Sequence, residues 1–212
     1  MSYARTTLQS LFLLSLGTLI SACAPQSYPY PESEPAQAPQ QDPGARALIE
    51  TSRYVDTIKD ELSAALSNEL FDSKVELRKT QSDTIQLTIS GDDAFRSGHT
   101  RLNSTILSVL DRIAGVMQEQ SNSIVHIVSH TDSTGSDQTN LTISEKRATV
   151  VANHLERKGI QSERLISMGR GEHEPIMPND SPAQQALNRR IEIYVRGIMS
   201  GNERRAYQTP SL

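Results

Sequence analysis

Ser123-Ile124-Val125-His126-Ile127-Val128-Ser129 runs directly into His130-Thr131-Asp132-Ser133-Thr134-Gly135, and Ser144-Glu145-Lys146-Arg147-Ala148 opens the next periodic segment. The first block is almost continuously apolar and β-branched over a strand's length, the pattern of a strand covered on both faces. The second block mixes hydroxyl, carboxylate and glycine residues, as expected where a strand gives way to a loop. In the third, Ala148, Val151, Ala152 and Leu155 repeat at helical spacing. Ser144 reads as the N-cap and Gly159 as the stop, which predicts a helix over 144–158.

Outward from this unit the pattern continues. Residues 74–79 and 84–90 alternate polar and apolar around Thr80-Gln81-Ser82-Asp83, predicting a hairpin. Residues 101–120 place Leu102, Ile106, Val109, Leu110, Ile113 and Met117 on one helical face. Residues 164–168 and 189–196 read as short strands separated by a loop rich in Gly, Pro and Asn. The succession strand–helix–strand–helix–strand predicts an α/β (α+β) two-layer sandwich, a βαβαβ core with helices on one sheet face. A hairpin and an N-terminal amphipathic helix over 45–70 precede it. In that helix Val55, Ile58, Leu62, Ala65 and Leu66 form a stripe suited either to packing on the domain or to a partner helix. The tail, 197–212, is polar and expected to be loose.

The chemistry concentrates at the end of the buried strand. With Ser144 as cap, Arg147 falls in the first helical turn, where the macrodipole disfavours a cation by a few tenths to about 1 kcal/mol. A guanidinium beside unpaired backbone N–H groups suits an incoming anion. Strand ends and helix starts meet at one rim of an α/β layer, so Asp132 is expected near Arg147. The pair suits a zwitterion, with ammonium on Asp132 and carboxylate on Arg147; a salt bridge pinning a loop uses the same two residues. Ser129, His130 and Asp132 do not make a hydrolytic triad, because near-consecutive strand residues point to opposite faces. His126, His130 and Asp132 share strand parity but lack any further metal-ligand pattern. Arg189-Arg190, at the start of the last strand, reads as pairing with nearby carboxylates. No catalytic role and no cofactor is expected.

These residues also carry a resemblance. Residues 129–136, then Asn140, then Ile143-Ser144-Glu145-Lys146-Arg147-Ala148 are similar to the signature of the OmpA C-terminal-like family, which includes Pal lipoproteins and flagellar stator subunits. The similarity extends through His154-Leu155, Gly159-Ile160, Gly169-Arg170-Gly171-Glu172, Pro175, Asn179-Asp180 and Asn188-Arg189-Arg190-Ile191-Glu192. It implies an OmpA-like domain over 74–196 with a mixed sheet. It also implies a peptidoglycan partner, bound through the diaminopimelate of the stem peptide. By the same resemblance Asp132 and Arg147 hold the ligand, with Thr134, Asn140 and Ile143 beside them. Two positions depart from the family's pattern. Gly98 stands where the family places an Asp or Asn after Phe95, so only backbone is offered there. Gln184-Gln185 stands where a Gly-Arg pair is usual.

The N-terminal segment reads as an address. Arg5 precedes an apolar run from Leu8 to Ile20 that is too short and too broken by Ser and Thr to span a bilayer. Ile20-Ser21-Ala22-Cys23 resembles a bacterial lipobox, implying a signal peptide over 1–22, lipidation of Cys23 and, with Ala24 following, delivery to the outer membrane. Residues 23–44 hold six of the ten prolines and read as an extended linker, reaching on the order of 60 Å at ~3 Å per residue. Cys23 is the only cysteine, which excludes an internal disulfide. A formal charge of −4 gives no electrostatic footprint for nucleic acid. Together these readings predict a lipid-anchored, periplasmic-facing protein tethering the outer membrane to peptidoglycan. The alternative is a docking subunit among the proteins of a trans-envelope secretion machine.

Overall fold

The computed structural model describes residues 42–96, 98–198 and 203–209. The expected signal peptide, Cys23 and nearly all of the linker lie outside the described residues. Two helices come first, α1 (Pro43–Ala65) and α2 (Ser67–Phe71), interrupted at Leu66. Asp42 caps α1 by accepting from the Gly44 N–H, and Pro43 sits in its first turn, where a missing N–H costs nothing. The hairpin follows as β1 (Val75–Lys79) and β2 (Thr84–Ser90), then the short α3 (Gly91–Ala94) and α4 (Ser104–Glu119). β3 (Ser123–His130), α5 (Asp137–Arg157) and β4 (Leu165–Gly171) form a parallel crossover. The chain closes with α6 (Pro182–Asn188), β5 (Arg190–Gly197) and α7 (Glu203–Tyr207).

The five strands make one mixed sheet in the order β1-β2-β5-β3-β4, with only β3 and β4 parallel. This is the expected two-layer architecture. Strand parity sorts the side chains: Ile85, Leu87, Ile89, Val125, Ile127, Ile191, Ile193 and Val195 turn to one face and meet α1, α4 and α5. Val55, Ile58 and Leu62 of α1 are fully buried in that core, so the N-terminal stripe packs on the domain. Leu48 and Ile49, nearer its start, remain exposed.

The opposite face is closed by polar pairing. Glu192 accepts from Gln86, Arg190 and Tyr194 at 2.9–3.0 Å and pairs with His130 Nε2 at 3.0 Å, all in buried surroundings. Burial would raise its carboxyl, but His130 and Arg190 outweigh that and hold it at about 2. The C-terminal residues are not loose throughout, as their polarity had suggested. Helix α7 lies against β3, its Ala206 carbonyl 2.7 Å from His126 Nε2, and Arg196 donates to the carbonyls of Arg205 and Gln208.

Three expectations of detail are corrected. Helix α5 begins at Asp137, capped by the Ser136 hydroxyl that accepts from the Thr139 N–H, and not at Ser144. Ser144 is instead a contact residue: its Oγ donates to the Leu141 carbonyl and accepts from the Gly171 N–H at 2.9 Å. A Cβ on Gly169 would overlap the Glu145 backbone nitrogen, so glycine there lets α5 lie directly on β4. Last, the presumed loop before β5 contains α6, capped by Ser181 and started by Pro182.

Candidate functional site

The rim at the end of β3 encloses an open cavity of about 550 Å³, lined by Asp92, Phe95, Gly98, Thr131, Asp132, Thr134, Asn140, Ile143, Arg147, Gln185 and Arg189. All six candidate binding residues therefore border one space: Gly98, Asp132, Thr134, Asn140, Ile143 and Arg147. The fold brings them there from three places, and Arg189 comes from a fourth. Asp132 and Thr134 follow β3, Asn140, Ile143 and Arg147 lie along α5, Gly98 follows α3, and Arg189 joins α6 to β5.

Asp132 is fixed on both oxygens. Its Oδ1 accepts from the Thr134 N–H at 2.8 Å and its Oδ2 from Arg189 Nη1 at 2.6 Å. Burial raises its carboxyl, and these hydrogen bonds more than offset that, leaving it below the usual carboxylate range. Asn140 braces the loop from behind, donating to the Asp132 carbonyl at 3.2 Å and to Glu172 at 2.6 Å.

Arg147 departs from the first-turn reading, since it lies in the middle of α5. The helix dipole therefore contributes little at its position. Desolvation is the main influence on its guanidinium and lowers its pKa, with the negative charge of Asp92 acting in the opposite sense. Its Nε donates to the His99 carbonyl at 3.1 Å, and its guanidinium carbon lies 4.9 Å from the Phe95 ring centroid. Asp132 thus pairs with Arg189 and not with Arg147, and among the described residues the terminal nitrogens of Arg147, on the cavity lining, carry no hydrogen bond. Thr131 Oγ1, also on the lining, is buried and without a partner among the described residues.

Two charged lining residues were not expected at the site. Arg189 was read as pairing with carboxylates, and the carboxylates prove to be Asp132 and Asp92, the latter at 2.6 and 2.8 Å. Asp92 itself carries no signal in sequence that separates it from Asp93. Gly98 has φ +70, and a Cβ there would meet nothing within 4 Å. Gln185 donates to the Asn179 carbonyl, so the loop at the departing Gln-Gln pair is internally tied. Among the described residues no group of three or more His, Cys, Asp or Glu could hold a metal ion, and no helix is long and apolar enough to cross a membrane.

Comparison with known proteins agrees with this fold. Residues 94–189 match the OmpA family. The probable lipoprotein YiaD of Escherichia coli is 32% identical over 111 residues, covering 52% of this chain and 51% of YiaD. The peptidoglycan-binding protein ArfA of Mycobacterium tuberculosis is 32% identical over 111 residues, 52% of this chain and 34% of ArfA. The chain thus spans about half the length, or less, of these relatives. Among solved structures, the cell wall anchor of the T6SS from Pseudomonas aeruginosa is 26% identical with a TM-score of 0.59, covering 66% of this chain and 99% of that one. The match over 94–189 and the mixed five-stranded sheet identify an OmpA-like domain within this chain.

Proposed function

We propose that this pocket binds peptidoglycan non-covalently, through the free ammonium and carboxylate of a diaminopimelate side chain, and that the protein tethers the outer membrane to the cell wall. The observation that carries the reading is an Arg147 guanidinium whose terminal nitrogens have no hydrogen-bond partner among the described residues, lining the same cavity as a pre-oriented Asp132 carboxylate. A zwitterion places its carboxylate on the first and its ammonium on the second. Phe95 shields one face of Arg147 from water, which strengthens a charge-assisted contact there. Thr134 and Ile143 shape the walls, and Asn140 holds the loop that presents Asp132. The sequence similarity to ArfA, named for peptidoglycan binding, supports the same ligand class. A lipid on Cys23 and the proline-rich linker would join this domain to the outer membrane. The pocket binds and does not transform its ligand.

A second reading is favoured by one observation, the 26% identity over nearly the whole of a T6SS cell wall anchor. In that reading this chain's tether serves an envelope complex, and wall contact is secondary to docking. Co-sedimentation of the full chain, in detergent, with purified diaminopimelate-type sacculi separates the two. Wall binding predicts that the chain pellets with sacculi; a pure docking role predicts that it stays in the supernatant.

A further inference from the structure

Asp92 enters the pocket from α3 and has no part in the two-point binding described above. Its carboxylate takes the fork of Arg189: Nε donates to Oδ1 at 2.8 Å and Nη2 to Oδ2 at 2.6 Å. Only Nη1 is left for Asp132. This fixes the guanidinium plane, so Asp132 receives one hydrogen bond from Arg189 and not two. Asp92 also sets the charge balance. The ionised lining residues are Asp92, Asp132, Arg147 and Arg189, which cancel. Without Asp92 the pocket would carry a net positive charge, and Arg189 would be free to turn its fork onto Asp132.

We propose that Asp92 is a specificity-determining residue: by occupying Arg189 and neutralising the pocket, it makes the site prefer an end group with both ammonium and carboxylate over one carrying a single charge. This rests on the wall-binding reading of the same pocket. When Asp92 loses its charge, Asp132 is drawn into a fuller pair with Arg189 and is less available to an ammonium. Arg147 then dominates the field, and the site turns toward anions.

The test uses the full chain in detergent and three synthetic tripeptides, L-Ala-γ-D-Glu-diaminopimelate in its unmodified, side-chain N-acetylated and side-chain amidated forms, measured by titration calorimetry. The wild type should bind the unmodified peptide best. Asp92→Asn should move the ratio of acetylated to unmodified affinity toward the acetylated peptide by roughly fivefold, the scale of one partly exposed charge pair. Asp93→Asn, one residue along and outside the pocket, should leave the ratio unchanged. Asp92 is half exposed, with 51% of its side chain accessible, so the substitution leaves the core intact. Equal weakening toward all three peptides, or an unchanged ratio, overturns the proposal while leaving wall binding standing. A wild type that binds none of the three overturns the wall-binding reading and this inference together.

Discussion

Arg189 Nη1 lies 2.6 Å from Asp132 Oδ2, joining the start of β5 to the end of β3 across 57 residues of chain. The carboxylate is thereby oriented before any ligand arrives, and ligand binding need not first order it. Removing the guanidinium should show this through pH. Asp132 is buried, which raises its carboxyl, and the bonds from Arg189 and Thr134 lower it further than burial raises it. Arg189→Gln should therefore raise the Asp132 pKa. Sedimentation with sacculi, followed as pH falls, should be lost at a higher pH in the variant than in the wild type. Coincident curves would mean that Arg189 does not control Asp132.

The buried network on the other sheet face makes a stability prediction. Glu192 is held at about 2 against an ordinary value of 4.5. A depressed carboxyl contributes stability that is present above the unfolded value and lost as pH falls through the folded one. The window is thus from about 4.5 down to about 2, and the contribution is on the order of 3 kcal/mol. Glu192→Gln should lower the melting temperature at neutral pH and flatten the acid limb of the stability curve. An unchanged acid limb would show that other carboxylates dominate.

Close approach of α5 to β4 makes another. Gly169→Ala forces a methyl group into the Glu145 backbone and should destabilise the domain by roughly 1–3 kcal/mol in urea titration. Because Asp132 leaves β3, the neighbour of β4, while Arg147 rides on α5, the same displacement widens the pocket and weakens wall binding. Full stability in this variant would contradict the packing described.

Gly98 offers the converse test. Its φ of +70 suits glycine, but asparagine tolerates that region better than most residues, and the space around a Cβ is open. Gly98→Asn should fold normally and tighten sacculus binding by roughly two- to tenfold, the scale of one added hydrogen bond. Weaker binding by a folded variant would rule out a ligand contact from this position.

Much of this architecture is legible in the sequence, and the exceptions have physical causes. The alternation over 84–90 and the apolar run over 123–129 announced their strands because burial on one or both sheet faces dictates such patterns. Helix α5 starts earlier than its apolar stripe implies because Asp137, Gln138, Thr139 and Asn140 meet the pocket rim and solvent, so its first turn carries no such stripe. Helix α6 reads as loop in the sequence because it has only seven residues and opens on Pro182, although proline suits the first helical position. Helix α7 is held through backbone carbonyls, which leave no mark on residue type. At the site, Asp132 and Arg147 stood out through motif and spacing. Asp92 did not, because only the turn of α3 makes it differ from Asp93.

Anchoring is tested apart from the pocket. Cys23→Ser should abolish metabolic labelling with a fatty-acid analogue and release the chain from the membrane fraction, with wall binding in detergent unchanged. Retained label on the substituted protein would contradict the anchor.

The most direct test of the central claim is co-sedimentation of the full chain, in detergent, with purified diaminopimelate-type sacculi, comparing the wild type with Asp132→Ala, Arg147→Ala and the double variant. A charge-assisted hydrogen bond contributes roughly 1.5–3 kcal/mol, so each single variant should bind about ten- to a hundredfold more weakly. The double variant should lose less than the two losses combined, because both groups hold one ligand side chain. Circular dichroism should show native folding throughout. Equal sedimentation of the wild type and a folded double variant would contradict the account.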